Sequence, residues 1–98
     1  MMSSWLFLAM SWILFVPPPL LDSAGRPGTL VDADRPVGEW ERLQSFATAG
    51  ECRTHLKDWQ IEAHRDAERS AKPVAARLLL EVNRRDLARC VASSSDAR

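Results

Sequence analysis

Residues 48–70 read TAGECRTHLKDWQIEAHRDAERS, and the fold turns on this stretch. Thr48-Ala49-Gly50-Glu51 fits the Thr-x-x-Glu capping box, in which two side chains satisfy backbone N–H groups left free at a helix start. Behind it Cys52, Leu56, Trp59, Ala63 and Ala67 recur every three or four residues. That spacing predicts a helix over about 49–70 with one apolar stripe along it. Its other faces carry Arg53, Lys57, Asp58, Glu62, Arg65, Asp66, Glu68 and Arg69. Glu62 and Asp66 form a like-charge i,i+4 pair within an otherwise mixed network, which marks a solvated surface.

On the C-terminal side, Pro73 interrupts the pattern, and Lys72 before it is pushed away from helical backbone. Pro73 is then suited to open a second helix. Val74, Leu78 and Val82 would line one face of it, with Ala75 and Leu79 beside them, and it should end at about Arg85. Leu87-Ala88-Arg89-Cys90-Val91-Ala92 alternates and reads as a short strand over 87–92, leaving 93–98 as a polar, fraying tail.

On the N-terminal side, Trp40 to Phe46 (WERLQSF) is compatible with period two or period three, and a short strand leading into the helix is the favoured reading. Residues 17–38 hold five of the six prolines and three of the four glycines, so a loop is expected there. Trp5 to Val16 (WLFLAMSWILFV) is a run of twelve with one polar member, Ser11. It is short for a bilayer span, which needs roughly 17–25 residues, and it suits the apolar core of a secretory signal. The n-region lacks Lys and Arg, and the best small-residue cleavage site, Ser23-Ala24-Gly25, follows a Pro17-Pro18-Pro19 break. A buried strand or helix is the plainer alternative for the same run, and an uncleaved membrane anchor over 5–16 is a third.

Ninety-eight residues make one domain at most, and so small a chain buries a modest core. Thirteen basic side chains balance thirteen acidic ones, which argues against a dedicated nucleic-acid binder. Residues 1–45 hold three Arg and five Asp/Glu, and 46–98 hold ten Lys/Arg and eight Asp/Glu, an imbalance too weak to name a partner.

Cys52 and Cys90 are the only thiols. An even count in a small chain with an export-like start reads as a disulfide. Closing that loop contributes roughly 3–4 kcal/mol on the chain-entropy model, comparable with the whole stability of such a domain. The alternative is two unrelated, reduced, buried thiols. Cys52 and His55 stand three apart on the predicted helix, a spacing that could activate a thiolate, but no third orienting group accompanies them. Cys52, His55 and His64 lack the two close ligand pairs of a structural zinc site, and His64 is most simply a surface histidine. No phosphate-binding Gly-x-x-x-x-Gly-Lys loop and no Gly-x-Ser-x-Gly elbow occurs. No catalytic residue, cofactor or metal is therefore assigned. Of four Trp, Trp5 and Trp12 belong to the apolar start, while Trp40 and Trp59 are read as core ahead of a ligand platform.

The order of motifs carries a resemblance. It runs Trp12-Ile13-Leu14-Phe15-Val16-Pro17-Pro18, Pro36-Val37-x-x-Trp40, Ser45-Phe46-Ala47-Thr48-Ala49-x-x-Cys52 and Arg89-Cys90-Val91-Ala92-Ser93. This resembles a group of small uncharacterised bacterial exported proteins, with a Trp-x-Leu-Met-x-Pro-Pro segment, a Ser-Phe-Asp-Thr-Ala-x-x-Cys segment and an Arg-Cys-Val-Ala-Ser-Asp-Asp-Pro-Arg end. The likeness covers most of the chain from Trp12 onward and implies a location, with no activity to carry over. It also implies that Trp12 to Val16 is the first strand, leaving only 1–11 as leader and suggesting a true start upstream of Met1. Ala47 stands where the pattern has Asp, so the helix cap falls to Thr48 or Ser45, and Ser94-Ser95-Asp96-Ala97-Arg98 replaces the acidic end.

The expected fold is α+β: a small antiparallel sheet of about three short strands, near 12–16, 40–46 and 87–92, packed against one long helix, with a second helix and one disulfide. The expected organisation is a leader over 1–11 (or to 25), one domain over 12–92 and a tail over 93–98. The expected function is a non-enzymatic exported protein, periplasmic or secreted, binding an unidentified protein partner or serving a structural role in the envelope. The alternatives are a membrane-anchored protein and a thiol-dependent redox protein or enzyme using Cys52.

Overall fold

The computed structural model describes residues 10–94. The expectations for 1–9 and 95–98 lie outside the described residues. The chain runs β1 (Met10–Val16), β2 (Pro19–Leu21), β3 (Pro27–Val31), a single 3-10 turn (Val37–Glu39), β4 (Glu41–Phe46), α1 (Ala49–Arg69), α2 (Ala76–Asp86) and β5 (Arg89–Ser94). The fold is α+β. A three-stranded antiparallel sheet in the order β4-β1-β5 packs against α1, and β2 pairs with β3 in a separate hairpin.

The central strand explains the uninterrupted apolar run from Trp12 to Val16. A strand covered on both faces loses the polar alternation of a half-buried one. Leu14 and Val16 point to α1, where they pack with Cys52 and Ala88, and Trp12, Phe46, Leu56, Trp59 and Cys90 surround them. Ile13 and Phe15 point the other way, where Trp40 closes over them with Ala33, Val37 and Val91. The sheet is thus a middle layer between a helix and the loop that carries Trp40.

The capping residue of α1 is Thr48, whose hydroxyl accepts from the Glu51 N–H at 3.1 Å. Cys52 and Ala63 of the predicted stripe are buried, and Leu56, Trp59 and Ala67 are half-buried. Replacing Thr48 by Ala leaves that N–H to water, and an expected loss of about 1 kcal/mol would show as a lower urea midpoint with an unchanged slope.

Three expectations need correction. The stretch 17–38 is not simply a loop. β2 and β3 flank a turn in which Asp22 Oδ1 accepts from the N–H groups of Ala24 and Arg26, both at 2.9 Å. Gly25 supplies the positive φ of 78° that this turn requires. Prolines are tolerated because both strands are short and at an edge. The second helix starts at Ala76 rather than Pro73. Ser70 and Lys72 instead bond back to the Ala67 carbonyl, closing α1, and the first carbonyl serving α2 is that of Ala75. The last strand is Arg89–Ser94 rather than 87–92, because the Leu87 and Ala88 N–H groups still bond to Asn83 and Arg85 at the end of α2. Ser93 and Ser94 accordingly pair with β1 and are not part of a frayed tail. The strand expected near 40–46 is present as Glu41–Phe46, and Trp40 just before it caps the 3-10 turn.

Arginines join the layers. Arg85 on α2 donates to Glu81 (3.0 Å), to the Trp59 carbonyl (2.8 Å) and to Glu62 (3.3 Å), and stacks 4.5 Å from the Trp59 ring centroid. Arg84 donates to the Pro17 carbonyl (2.9 Å) and to Glu41 (2.8 Å), holding α2 to the end of β1 and the start of β4. Asn83 donates to the Thr29 carbonyl and so fixes the hairpin on the same helix.

Candidate functional site

Cys52 stands in the first turn of α1, on its apolar stripe, and Cys90 stands on β5 opposite Leu14. Their sulfurs are bonded at 2.09 Å, with the Cα atoms 6.1 Å apart. That Cα separation lies within the range a disulfide spans without moving the backbone. Cys52 is fully buried and Cys90 half-buried, so the bond is part of the core between helix and sheet. It closes a loop of 38 positions that contains α2 and nearly all of α1.

The other sequence candidates do not converge on it. His55 is half-buried with its ring 5.2 Å from Phe46, tilted at 47°, so it packs beside the sheet. Because the Cys52 sulfur is bonded to Cys90, a Cys52–His55 thiolate pair forms only once that bond is opened. His64 lies nine residues further along α1, roughly 13 Å by helical rise. Its Nε2 sits 2.9 and 3.0 Å from the two carboxylate oxygens of Asp86, an exposed contact between α1 and α2. Among the described residues no group of three or more His, Cys, Asp or Glu is placed to hold a metal ion.

Trp40 is in the interior and Trp59 packs against the core from its margin. Trp40 is 4 % exposed, and its indole N–H donates to the Arg35 carbonyl at 2.9 Å. Trp59 is half-buried beneath Arg85. Guanidinium groups also lie over other rings: Arg53 over Trp12 at 5.8 Å, Arg89 over Trp40 at 5.2 Å and Arg42 over Phe15 at 6.0 Å. Each covers an aromatic face at the margin of a core too thin to enclose it. Sequence reading missed this, because the paired residues lie far apart in the chain and no local spacing marks them.

The surface recesses are shallow. One runs along the outer face of α1 between Asp58, Glu62, Arg65 and Arg69. Another lies at the start of that helix beside Phe46, Gly50, Glu51 and His55. A third is formed by the hairpin, where Leu20, Leu21 and Leu30 are exposed around Arg26. None of these three brings together a nucleophile, a base and a group to orient them. No helix among the described residues is long and apolar enough to cross a membrane. No family model, curated protein or solved structure matches this chain.

Proposed function

We propose that this chain is a small exported protein, periplasmic or secreted, with a binding or structural role in the cell envelope and no catalysis of its own. The observation that carries this reading is the buried Cys52–Cys90 bond. Such bonds form and persist in oxidising compartments, and they recur in small domains whose cores are insufficient alone. The resemblance to small exported bacterial proteins supports the same compartment. The non-enzymatic part rests on the motifs, which contain no nucleophile with its base and orienting group.

Two alternatives are weaker on particular residues. An anchor over residues 5–16 competes with Met10–Val16 acting as the central strand, since the same residues cannot serve the bilayer and the sheet together. A cut after residue 25 meets the same objection, because it would remove that strand. A thiol reaction at Cys52 requires a fully buried, bonded sulfur to be released first.

Thiol titration of protein taken from its native host tests the reading. The protein is trapped with alkylating reagent under denaturing conditions, without reductant. No alkylation is expected, and both cysteines should react after reduction. Two reactive thiols in the untreated sample would place the folded chain in a reducing compartment and sink the proposal. A single thiol that reacts rapidly near neutral pH in a parallel titration of the folded, unreduced protein would favour the redox alternative. Retention with membranes after a high-salt wash would favour the anchor.

A further inference from the structure

The two edges of the three-stranded sheet are built differently. On β4 the register shifts between Leu14 and Phe15, where Leu14 faces Gln44 and Phe15 faces Arg42, so Leu43 is an extra residue that bends the strand. The same strand carries Glu41 and Arg42, and Glu41 is held by Arg84. A bulge and charges are the usual means by which proteins prevent an edge from pairing. β5 has neither beyond its first residue. Its register with β1 is regular through six pairs, from Phe15↔Arg89 to Met10↔Ser94. After Arg89 it contains no charge and no proline. Among the described residues, no backbone hydrogen bond outside the ladder reaches Arg89–Ser94; β1 lies beside β5, α1 packs on one of its faces, and Trp40 meets Val91 and Arg89 on the other.

The side chains say what would pair there. Phe46, Trp12 and Ala92 lie in one row across β4, β1 and β5 on the helix side. That row ends in the open at Ala92, which is exposed, while Trp12 is only half-buried. We propose that β5 is a self-pairing edge at which two copies of this chain join antiparallel about Ala92. A two-fold through Ala92 sets Val91 opposite Ser93 and Cys90 opposite Ser94 of the second copy. The row then continues as Phe46-Trp12-Ala92 meeting its own image. Small side chains at the joint let the backbones approach to ladder distance. The one charge on β5, Arg89, falls at opposite ends of the joint, about 20 Å from its image, so like charges do not face each other. The result is a six-stranded sheet, β4-β1-β5-β5-β1-β4, with both α1 helices on the same side. The pairing uses the oxidised fold and does not depend on the compartment proposed above.

Sedimentation velocity on the oxidised chain, over a wide concentration range, should show the mass double as concentration rises. Ala92→Lys puts two ammonium groups directly opposite and should weaken the dimer roughly tenfold or more. Ala92 is exposed, so the thermal melt of the dilute variant should match the parent. Mixing Ala92→Lys with Ala92→Glu should restore a dimer that neither variant forms well alone. Amide exchange at Val91–Ser94 should slow with concentration in the parent, while exchange along β4 stays constant. A chain that is monomeric throughout overturns the proposal. So does a dimer that is indifferent to Ala92→Lys, or one that protects amides away from β5.

Discussion

Replacing both Cys52 and Cys90 by alanine is expected to lower the thermal midpoint by roughly 15 °C or more, from a loss of roughly 3–4 kcal/mol. The loop closed by the bond contains α2 and nearly all of α1, so the unfolded chain regains the freedom of two helices and their connection. The native state also loses a packed element, because Cys52 is fully buried among Leu14, Val16 and Ala88. Removing one cysteine alone would confound this loss with a new buried thiol, so the double variant is the cleaner experiment. Parallel urea titrations of the oxidised parent and the variant measure the difference. A loss under about 1 kcal/mol would mean that sheet and helix hold together without the covalent tie, a result at the low end for removing a native disulfide.

Trp40→Ala should cost about 3–5 kcal/mol, as for other buried aromatic side chains cut back to a methyl group. The indole is the main cover over Ile13 and Phe15, and this half of the core has few other buried members. Its loss would open the face of β1 away from α1 to water, under a loop that has no helix to replace it. Trp40→Phe should retain most of the packing and lose the bond to the Arg35 carbonyl, for about 0.5–1.5 kcal/mol. Chemical unfolding followed by far-ultraviolet circular dichroism distinguishes the three proteins. If Trp40→Ala were as stable as the parent, the indole would be a surface group available to a ligand, and the two-sided burial of β1 would be wrong.

Both expectations concern the thinness of the core. Leu14, Val16 and Cys52 on one side of the sheet, and Ile13, Phe15 and Trp40 on the other, are the larger buried groups in the two clusters. The exposed arginines over Trp12, Phe15 and Trp40 extend each core outward with their alkyl stems while keeping the charge in water, whereas Arg85 over Trp59 is mostly buried and held by Glu81, Glu62 and the Trp59 carbonyl.

What the sequence determined by itself is local or covalent. Thr48 with Glu51, followed by a stripe at three and four residues, specified α1, since capping and helical periodicity act within a few residues. Two cysteines in a small chain left one intramolecular partner for each. What only the tertiary structure decided is which distant surfaces meet. The run from Trp5 to Val16 reads by itself first as a signal core, with a buried strand or helix and a membrane anchor as alternatives, and only the resemblance implies a strand over 12–16. Met10–Val16 became the central strand because β4 and β5 pair with its two edges. The prolines and glycines of 17–38 concealed a hairpin, which is held in place by Asn83 some fifty residues away. α2 began three residues later than Pro73 suggested, because Ser70 and Lys72 were used to close the preceding helix. That the outer edge of β5 has no partner among the described residues is legible only once its neighbour is known. A strand's free hydrogen-bonding groups are those its partner leaves over, and that remainder is a property of the assembled sheet.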